Sequence, residues 1–304
     1  MLKIGTRGST LARTQAEWVR QSILERMPDA VIEVKIISTS ADKDTRTSIR
    51  SGSATGVFVR EIEEALIESE IDLAVHSMKD LPTTIPDALD IGAIPAREDA
   101  RDALIAGEQI RKLEDLPRGA VIGTGSVRRQ AQILAWRPDL VARDIRGNVE
   151  TRLQKLAARG YDAIILACAG LNRLGMQKRI GCVLDWQEML PAPGQGALAL
   201  EMRKDDRRVA AMIAGLHEPS TAACVLAERA FLRRMGGGCN SPIAVHARLV
   251  QGVCFIEGLV ATPDGRTMLR DDCDCALAAA GESAEALADK LLSLGGAEIL
   301  HSLS

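Results

Sequence analysis

Aromatic side chains are scarce in this chain, with three Trp, one Tyr and three Phe among 304 residues. Stacking platforms for single-stranded nucleic acid are built from such rings, so a surface of that kind has little to stand on. An excess of one charge is missing as well. The 38 Lys and Arg against 41 Asp and Glu leave a formal net charge of -3, which gives no broad attraction to nucleic acid or to an anionic membrane. Positive potential must therefore be local. The seven cysteines contain no C-x-x-C pair, and an odd count makes no complete disulfide framework. Cys273-Asp274-Cys275 is too closely set for a zinc pair. No apolar run reaches membrane-spanning length and no signal-peptide pattern opens the chain, so a cytoplasmic location is expected, with neither membrane nor nucleic acid as partner.

What is present is a repeated strand–turn–helix unit. Leu2-Lys3-Ile4 runs into Gly5-Thr6-Arg7-Gly8-Ser9, and Ala12, Ala16, Val19 and Ile23 follow at one-face helical spacing. With Ser9 as N-cap, free backbone N–H groups and Arg7 converge, which is one way an anion site is built. A capped turn with a solvated arginine fits that stretch equally well. Residues 31–39 alternate as a second strand, residues 40–56 read as a polar loop, and Phe58, Ile62, Ala65 and Leu66 mark a helix face. The apolar run from Ile71 reads as a buried parallel strand that ends in His76-Ser77-Met78-Lys79-Asp80. Ligands of open α/β sheets bind past strand carboxyl ends, so Asp80 is a candidate site carboxylate.

The middle of the chain echoes this. Gly123-Thr124-Gly125-Ser126 again separates a short strand from a helix, with Val127, Ala131 and Leu134 on one face. It is not a Walker loop. Two similar α/β domains are expected, each offering a helix start to a shared cleft. Arg128 and Arg129 lie in a first helical turn, where the macrodipole disfavours cations. Arg146 follows a strand, Arg152 lies on the helix capped by Asn148, and Arg173 follows the strand ending near Ala167. Arginines grouped at strand ends suit a ligand with several carboxylates or phosphates, because each guanidinium can hold a carboxylate with two parallel hydrogen bonds. Solvated surface arginines are the plainer alternative. Pro191 to Gly196 reads as a hinge before a strand that returns to the first domain. The expected division is residues 1–96 with 197–215, residues 97–196, and a smaller α+β domain over 216–304.

In that last domain a helix from Pro219 leads to Gly236-Gly237-Gly238-Cys239, three strands alternate over 242–271, and residues 283–294 form a closing helix. Cys239 is thereby a thiol in a glycine-rich stretch, with room for a bulky attachment.

Taken together, these stretches resemble the porphobilinogen deaminase family, from Gly5 to beyond Cys239. The resemblance is carried by Thr6-Arg7-Gly8-Ser9, Phe58-Val59-Arg60-Glu61, His76-Ser77-Met78-Lys79-Asp80, Gly123 to Arg129, Arg146-Gly147-Asn148, Ala169-Gly170-Leu171, Pro193-Gly194-Gln195-Gly196 and Gly237-Gly238-Cys239. It implies two periplasmic-binding-protein-like (type II) α/β domains, a smaller third domain and a monomer. It also implies a dipyrromethane cofactor held on Cys239 by a thioether, onto which four porphobilinogen units are condensed with loss of ammonia before water releases hydroxymethylbilane. Asp80 would then stabilise developing positive charge. Lys79, Ser126, Arg128, Arg129 and Arg146 would hold the cofactor with Asp80. Arg7, Ser9, Phe58, Ser77, Thr124, Arg152, Arg173 and Gln195 would contact substrate.

Two departures from the family pattern stand out: Ser53-Ala54-Thr55-Gly56 replaces a lysine-containing glycine loop, and Ala41-Asp42 replaces a Gly-Asp. Two other readings remain from the residues themselves. One is a two-domain anion receptor without chemistry, which leaves Cys239 unused. The other is a thiol acyl-transferase, which lacks an evident His partner because His246 falls on a strand.

Overall fold

The computed structural model describes residues 1–38, 59–158, 160–237 and 241–303. They form two compact units, Met1–Glu98 with Ala197–Ala222, and Asp99–Gly196 with Ala223–Ser304.

The first unit is built on a five-stranded sheet. Strand β1 (Leu2–Thr6) pairs in parallel with β2 (Ile32–Ile36) and β3 (Leu73–Ser77). A late strand, β10 (Leu198–Arg203), is inserted antiparallel between β3 and β4 (Leu89–Ala93). Helix α1 (Thr10–Leu24) buries Ala12, Ala16, Val19 and Ile23, the one-face set its spacing predicts. Most of that set packs with Leu2, Ile4, Val75 and Leu200. Helix α2 (Arg60–Ile67) covers the other side, where Ile62, Ala65 and Leu66 meet Ile71 and Ala74. With both faces covered, the central strands are mostly apolar and buried, and the buried titratable exceptions, His76 of β3 and Glu201 of β10, pair with each other.

The second unit holds two sheets. The larger runs β7-β6-β8-β5-β9, with β5 (Asp102–Ala106), β6 (Val121–Gly123), β7 (Val141–Arg143), β8 (Ala163–Ala167) and β9 (Cys182–Val183). Strand β6 is parallel to β7 and β8, and β5 lies antiparallel beside β8. This is the order of the first unit again, three parallel strands, then an antiparallel one, then an edge strand. Helices α3 (Val127–Trp136), α4 (Val149–Ala157) and α5 (Cys168–Arg173) follow β6, β7 and β8.

The smaller sheet is an antiparallel meander of β11 (Ile243–Val250), β12 (Val253–Ala261) and β13 (Met268–Ala276). Phe231 of the helix Pro219–Met235 and Leu287 and Leu291 of the helix Ala280–Leu291 pack against Val245, Ile256 and Val260. Glu228, wholly buried, accepts from Gly194 N–H at 2.6 Å and Ala247 N–H at 2.8 Å, tying the 191–196 turn to β11. The turn before β13 presses on α3. Gly265 has φ +70°, and a Cβ there would lie 2.4 Å from Ala131 O, so this turn accepts only glycine without moving.

The expected fold class is borne out, with mixed α/β layers and a smaller C-terminal α+β part. Several boundaries differ. Strand β13 runs from 268 to 276 rather than 266 to 271, because period-two alternation continues: Cys273 and Cys275 pack on the core while Asp272 and Asp274 are exposed. The closing helix starts at Ala280, not 283. Strands β4, β5 and β9 were not expected from the pattern. Among the described residues no single helix is long and apolar enough to cross a membrane.

Candidate functional site

In the second unit, β6, β7 and β8 end on one edge because they are parallel. Two turns meet there. Ser126 caps α3 by accepting from Arg129 N–H at 3.4 Å, and Thr124 Oγ1, buried beneath it, accepts from Ser126 N–H at 3.1 Å. Asn148 caps α4 by accepting from Thr151 N–H at 2.9 Å. Gly147 before it has φ +114°, and a Cβ there would come within 2.7 Å of Thr151 Cγ2. A Cβ on Gly125 would meet Asp144 Oδ1 and Ile145 O, each at 3.1 Å, so the two turns lie against each other. Arg146 is exposed and its Nε donates to Asp144 at 2.7 Å, while Arg152 Nε donates to Gly147 O at 2.8 Å. Arg146 thus lies on this turn, and Arg152 folds back onto it from α4. Arg173, at the end of α5, donates to Gly196 O at 2.7 Å.

Arg128 and Arg129 are placed differently from those two. Both are buried, and both turn inward onto a carboxylate that the sequence reading missed. Asp102, the first residue of β5, is fully buried; it accepts from Arg128 Nη2 at 2.8 Å and from Arg129 Nη2 at 2.7 Å. Arg128 Nη1 also donates to Leu190 O and Arg129 Nη1 to Ile165 O. Gln195 is buried behind them, donating to Ala100 O at 2.7 Å and Asp102 Oδ1 at 2.8 Å. Burial alone would raise the Asp102 carboxyl, but the two guanidiniums outweigh it and hold it well below the usual carboxylate range. The only signal for Asp102 in the sequence is a charged residue opening an apolar pentad, Asp102-Ala103-Leu104-Ile105-Ala106.

In the first unit, β1 and β3 are adjacent and parallel, so Thr6 to Ser9 and Ser77 to Asp80 leave the same edge. Ser9 caps α1, accepting from Ala12 N–H at 3.3 Å, and Thr6 Oγ1 donates to Ala12 O at 3.1 Å. Arg7 is half-buried beside them. Ser77 bonds with Gln15 of α1, its Oγ accepting from Nε2 at 3.0 Å. His76 lies 3.0 Å from Glu201 of β10. Both residues are thus engaged by these partners. Asp80 follows on a single 3-10 turn, Met78–Asp80, as an exposed carboxylate, with Lys79 half-buried and Met78 as the apolar anchor.

Phe58 and Cys239 lie outside the described residues, as do Ala41-Asp42 and Ser53 to Gly56. Of the other thiols, Cys168 is pushed up to about 12 by burial and by Asp99 and Asp102, and Cys254 to about 12 by burial and neighbouring thiols. Neither is a ready nucleophile at neutral pH. His246 sits on β11 with its ring stacked on Trp186, centroids 4.1 Å apart.

The chemistry this donor set offers is anion binding. Around Asp102, two cations meet one anion, and Nε of Arg128 and of Arg129 are buried without a hydrogen-bond partner among the described residues. A buried donor in that state favours an acceptor. The residues present therefore fit a carboxylate-bearing group.

Comparison with known families places residues 2–211 in the porphobilinogen deaminase dipyromethane cofactor binding domain and residues 222–293 in the porphobilinogen deaminase C-terminal domain. The porphobilinogen deaminase of Thermus thermophilus is 47% identical over 301 residues, covering 99% of this chain and 98% of the relative. That of Bacillus subtilis is 48% identical over 273 residues, covering 89% and 86%. Among solved structures, a VFT2 domain of Bordetella pertussis BvgS aligns with 69% of this chain and 84% of its own at 14% identity and a TM-score of 0.41. The family and relative matches do not favour the receptor alternative. With both halves of the family pattern matched in order over nearly the full length, the chain belongs to the porphobilinogen deaminase family.

Proposed function

We propose that this chain condenses four porphobilinogen molecules head to tail onto a dipyrromethane primer on Cys239, releasing ammonia at each addition and hydroxymethylbilane on final hydrolysis. The observation that carries this reading is the near-full-length likeness to a relative named porphobilinogen deaminase. The bound dipyrromethane supplies the nucleophilic pyrrole to which units are added. Cys239 would hold it through a thioether, which water does not readily cleave.

The chain's own residues do the rest. As ammonia leaves porphobilinogen, positive charge spreads to its pyrrole nitrogen, and the Asp80 carboxylate stabilises that charge where it develops. The same carboxylate can carry off the proton lost on rearomatisation. Each pyrrole bears an acetate and a propionate. Arg128, Arg129, Arg146 and Lys79, with Ser126, hold those of the primer. Arg7, Arg152 and Arg173 neutralise those of the substrate, with Ser9, Ser77, Thr124 and Gln195 completing the hydrogen bonding and Phe58 against a ring. Gln195 does so from behind the arginines, through Asp102. The working unit is a cytoplasmic monomer of three domains, residues 1–96 with 197–215, 97–196 and 216–304.

Intact mass after expression tests the reading. The added mass of two pyrrole units, absent from Cys239→Ala, together with porphobilinogen consumption and ammonia release, is expected. Unmodified wild-type protein that binds polycarboxylates without turnover would overturn it.

A further inference from the structure

Behind the exposed Asp80 lies a group of titratable side chains that the proposed chemistry does not use. His76 and Glu201 are buried on adjacent antiparallel strands, β3 and β10. A carboxylate only accepts, so His76 Nε2 donates to Glu201 Oε2 across 3.0 Å. Glu201 Oε1 is also buried and has no hydrogen-bond partner among the described residues. A third group, Glu63, is half-buried in the first turn of α2, and that helix packs through Ile62, Ala65 and Leu66 on Ala74, the strand neighbour of Glu201.

The position of this group in the strand matters more than its composition. Side chains alternate along β3, so His76 and Ser77 point to opposite faces. His76 is held from the α2 side by Glu201, and Ser77 from the α1 side by Gln15. Met78 N–H then donates to Ala197 O at 3.0 Å. The last residues of β3 are thus pinned on both faces and at the edge, directly before Lys79 and Asp80.

We propose that His76, Glu201 and Glu63 form a positioning cluster for the carboxyl end of β3, in which a proton on Glu63 allows α2 to seat over the buried Glu201 and so keeps Lys79 and Asp80 in working register. This rests on the deaminase reading for what Asp80 does. The groups facing Glu63 are Glu201 from β10, His76 from β3 and Glu64 of its own helix. At the far end of α2, Arg203 of β10 donates to Leu66 O and pairs with Asp72, and the other strands under the helix carry Lys3, whose charge acts on Glu70, and the exposed Asp90. Burial first, then the Glu201 charge, push the Glu63 carboxyl up to about 7, with His76 opposing them. The start of α2 favours an anion by its dipole, but that term is outweighed here. Two unprotonated carboxylates on this face would repel, and the contact between α2 and the sheet is where that repulsion acts.

The sign follows from linkage. A carboxyl whose value is higher in the folded chain than in the unfolded one, here about 7 against 4.5, binds its proton preferentially in the folded state between those values. Its contribution to stability is full at low pH and is lost as pH rises through that window.

The test compares wild type with Glu63→Gln, which keeps the shape and removes the proton site, and with Glu63→Asp, which keeps the site. Melting temperature and kcat are followed from pH 5 to 9 on the primer-loaded enzyme. Wild type is expected to lose about 2–4 °C more than Glu63→Gln between pH 5 and 7 and to show a falling alkaline limb in kcat above that window with little change in KM. Glu63→Gln flattens both, and Glu63→Asp retains both. Equal slopes in wild type and Glu63→Gln would overturn the proposal. A flattened melting profile with the kcat limb untouched would also overturn it, leaving the cluster as packing only. Wild type without turnover at any pH would count against the deaminase reading instead, and the melting comparison would still accept or reject the cluster.

Discussion

Arg129 Nη2 lies 2.7 Å from Asp102 Oδ1, a contact between the first turn of α3 and the first residue of β5 with both side chains almost wholly out of water. A cation at a helix start is unfavourable by itself. Here the partner carboxylate answers it, and shares its other oxygen with Arg128.

Asp102→Asn should therefore be severe. It leaves two buried guanidiniums facing a neutral amide, and breaking a buried pair of this kind costs about 3–5 kcal/mol. Urea denaturation at neutral pH measures the loss, and Asp289→Asn, which breaks an exposed pair with Arg234, is the control expected to cost about 0–1 kcal/mol. The pH dependence has a definite sign. The Asp102 carboxyl is held low in the fold, so its contribution is present above the unfolded value of 3.8 and is lost as pH falls below it. The variant should show a shallower decline in stability on acidification than wild type.

Asp80→Asn should leave melting unchanged, because the carboxylate is exposed, while lowering kcat by about 10²–10³-fold. Single-turnover kinetics on primer-loaded enzyme separates this from a binding defect. Turnover within a factor of a few of wild type would remove Asp80 from its role.

Arg146→Leu and Arg152→Leu should cost little stability. Among the described residues Arg146 pairs with Asp144 alone, where both side chains are about half exposed, and such pairs are worth about 0–1 kcal/mol. Primer incorporation, read as the fraction of protein carrying the added mass, or substrate KM should suffer instead. Full incorporation with an unchanged KM would count against carboxylate binding by these two residues.

Gly265→Ala should destabilise the second unit through steric contact rather than chemistry. Its Cβ would fall 2.4 Å from Ala131 O and 2.5 Å from Ala135 N, so the turn must lift off α3. Gly252→Ala has φ +85° and open space around it, and isolates the backbone penalty of about 1–2 kcal/mol. Thermal melts of the two variants should place Gly265→Ala clearly below Gly252→Ala.

Much of the chain was legible because its signals are short-range. Ser9, Ser126 and Asn148 cap helices by bonds to the N–H three residues on, and the apolar spacing of α1 gives its buried face directly. The placement of Arg146 on the turn before α4, and of Arg152 in that helix, follows from a strand, a glycine and a cap in succession. Residues 97–119 were less legible. Their strand β5 opens on a buried charge, which reads as surface until its partners are known.

The sequence by itself determined where the capped helices α1, α3 and α4 begin, because a cap and its turn are set within a few residues by backbone geometry. Only the tertiary structure decided which elements became neighbours. Asp102 meets Arg128 and Arg129 from 26 and 27 residues away, and His76 meets Glu201 from 125 residues away. Pairing of buried charge depends on which strand the topology inserts beside which, and here the antiparallel strands β5 and β10 supply the acids.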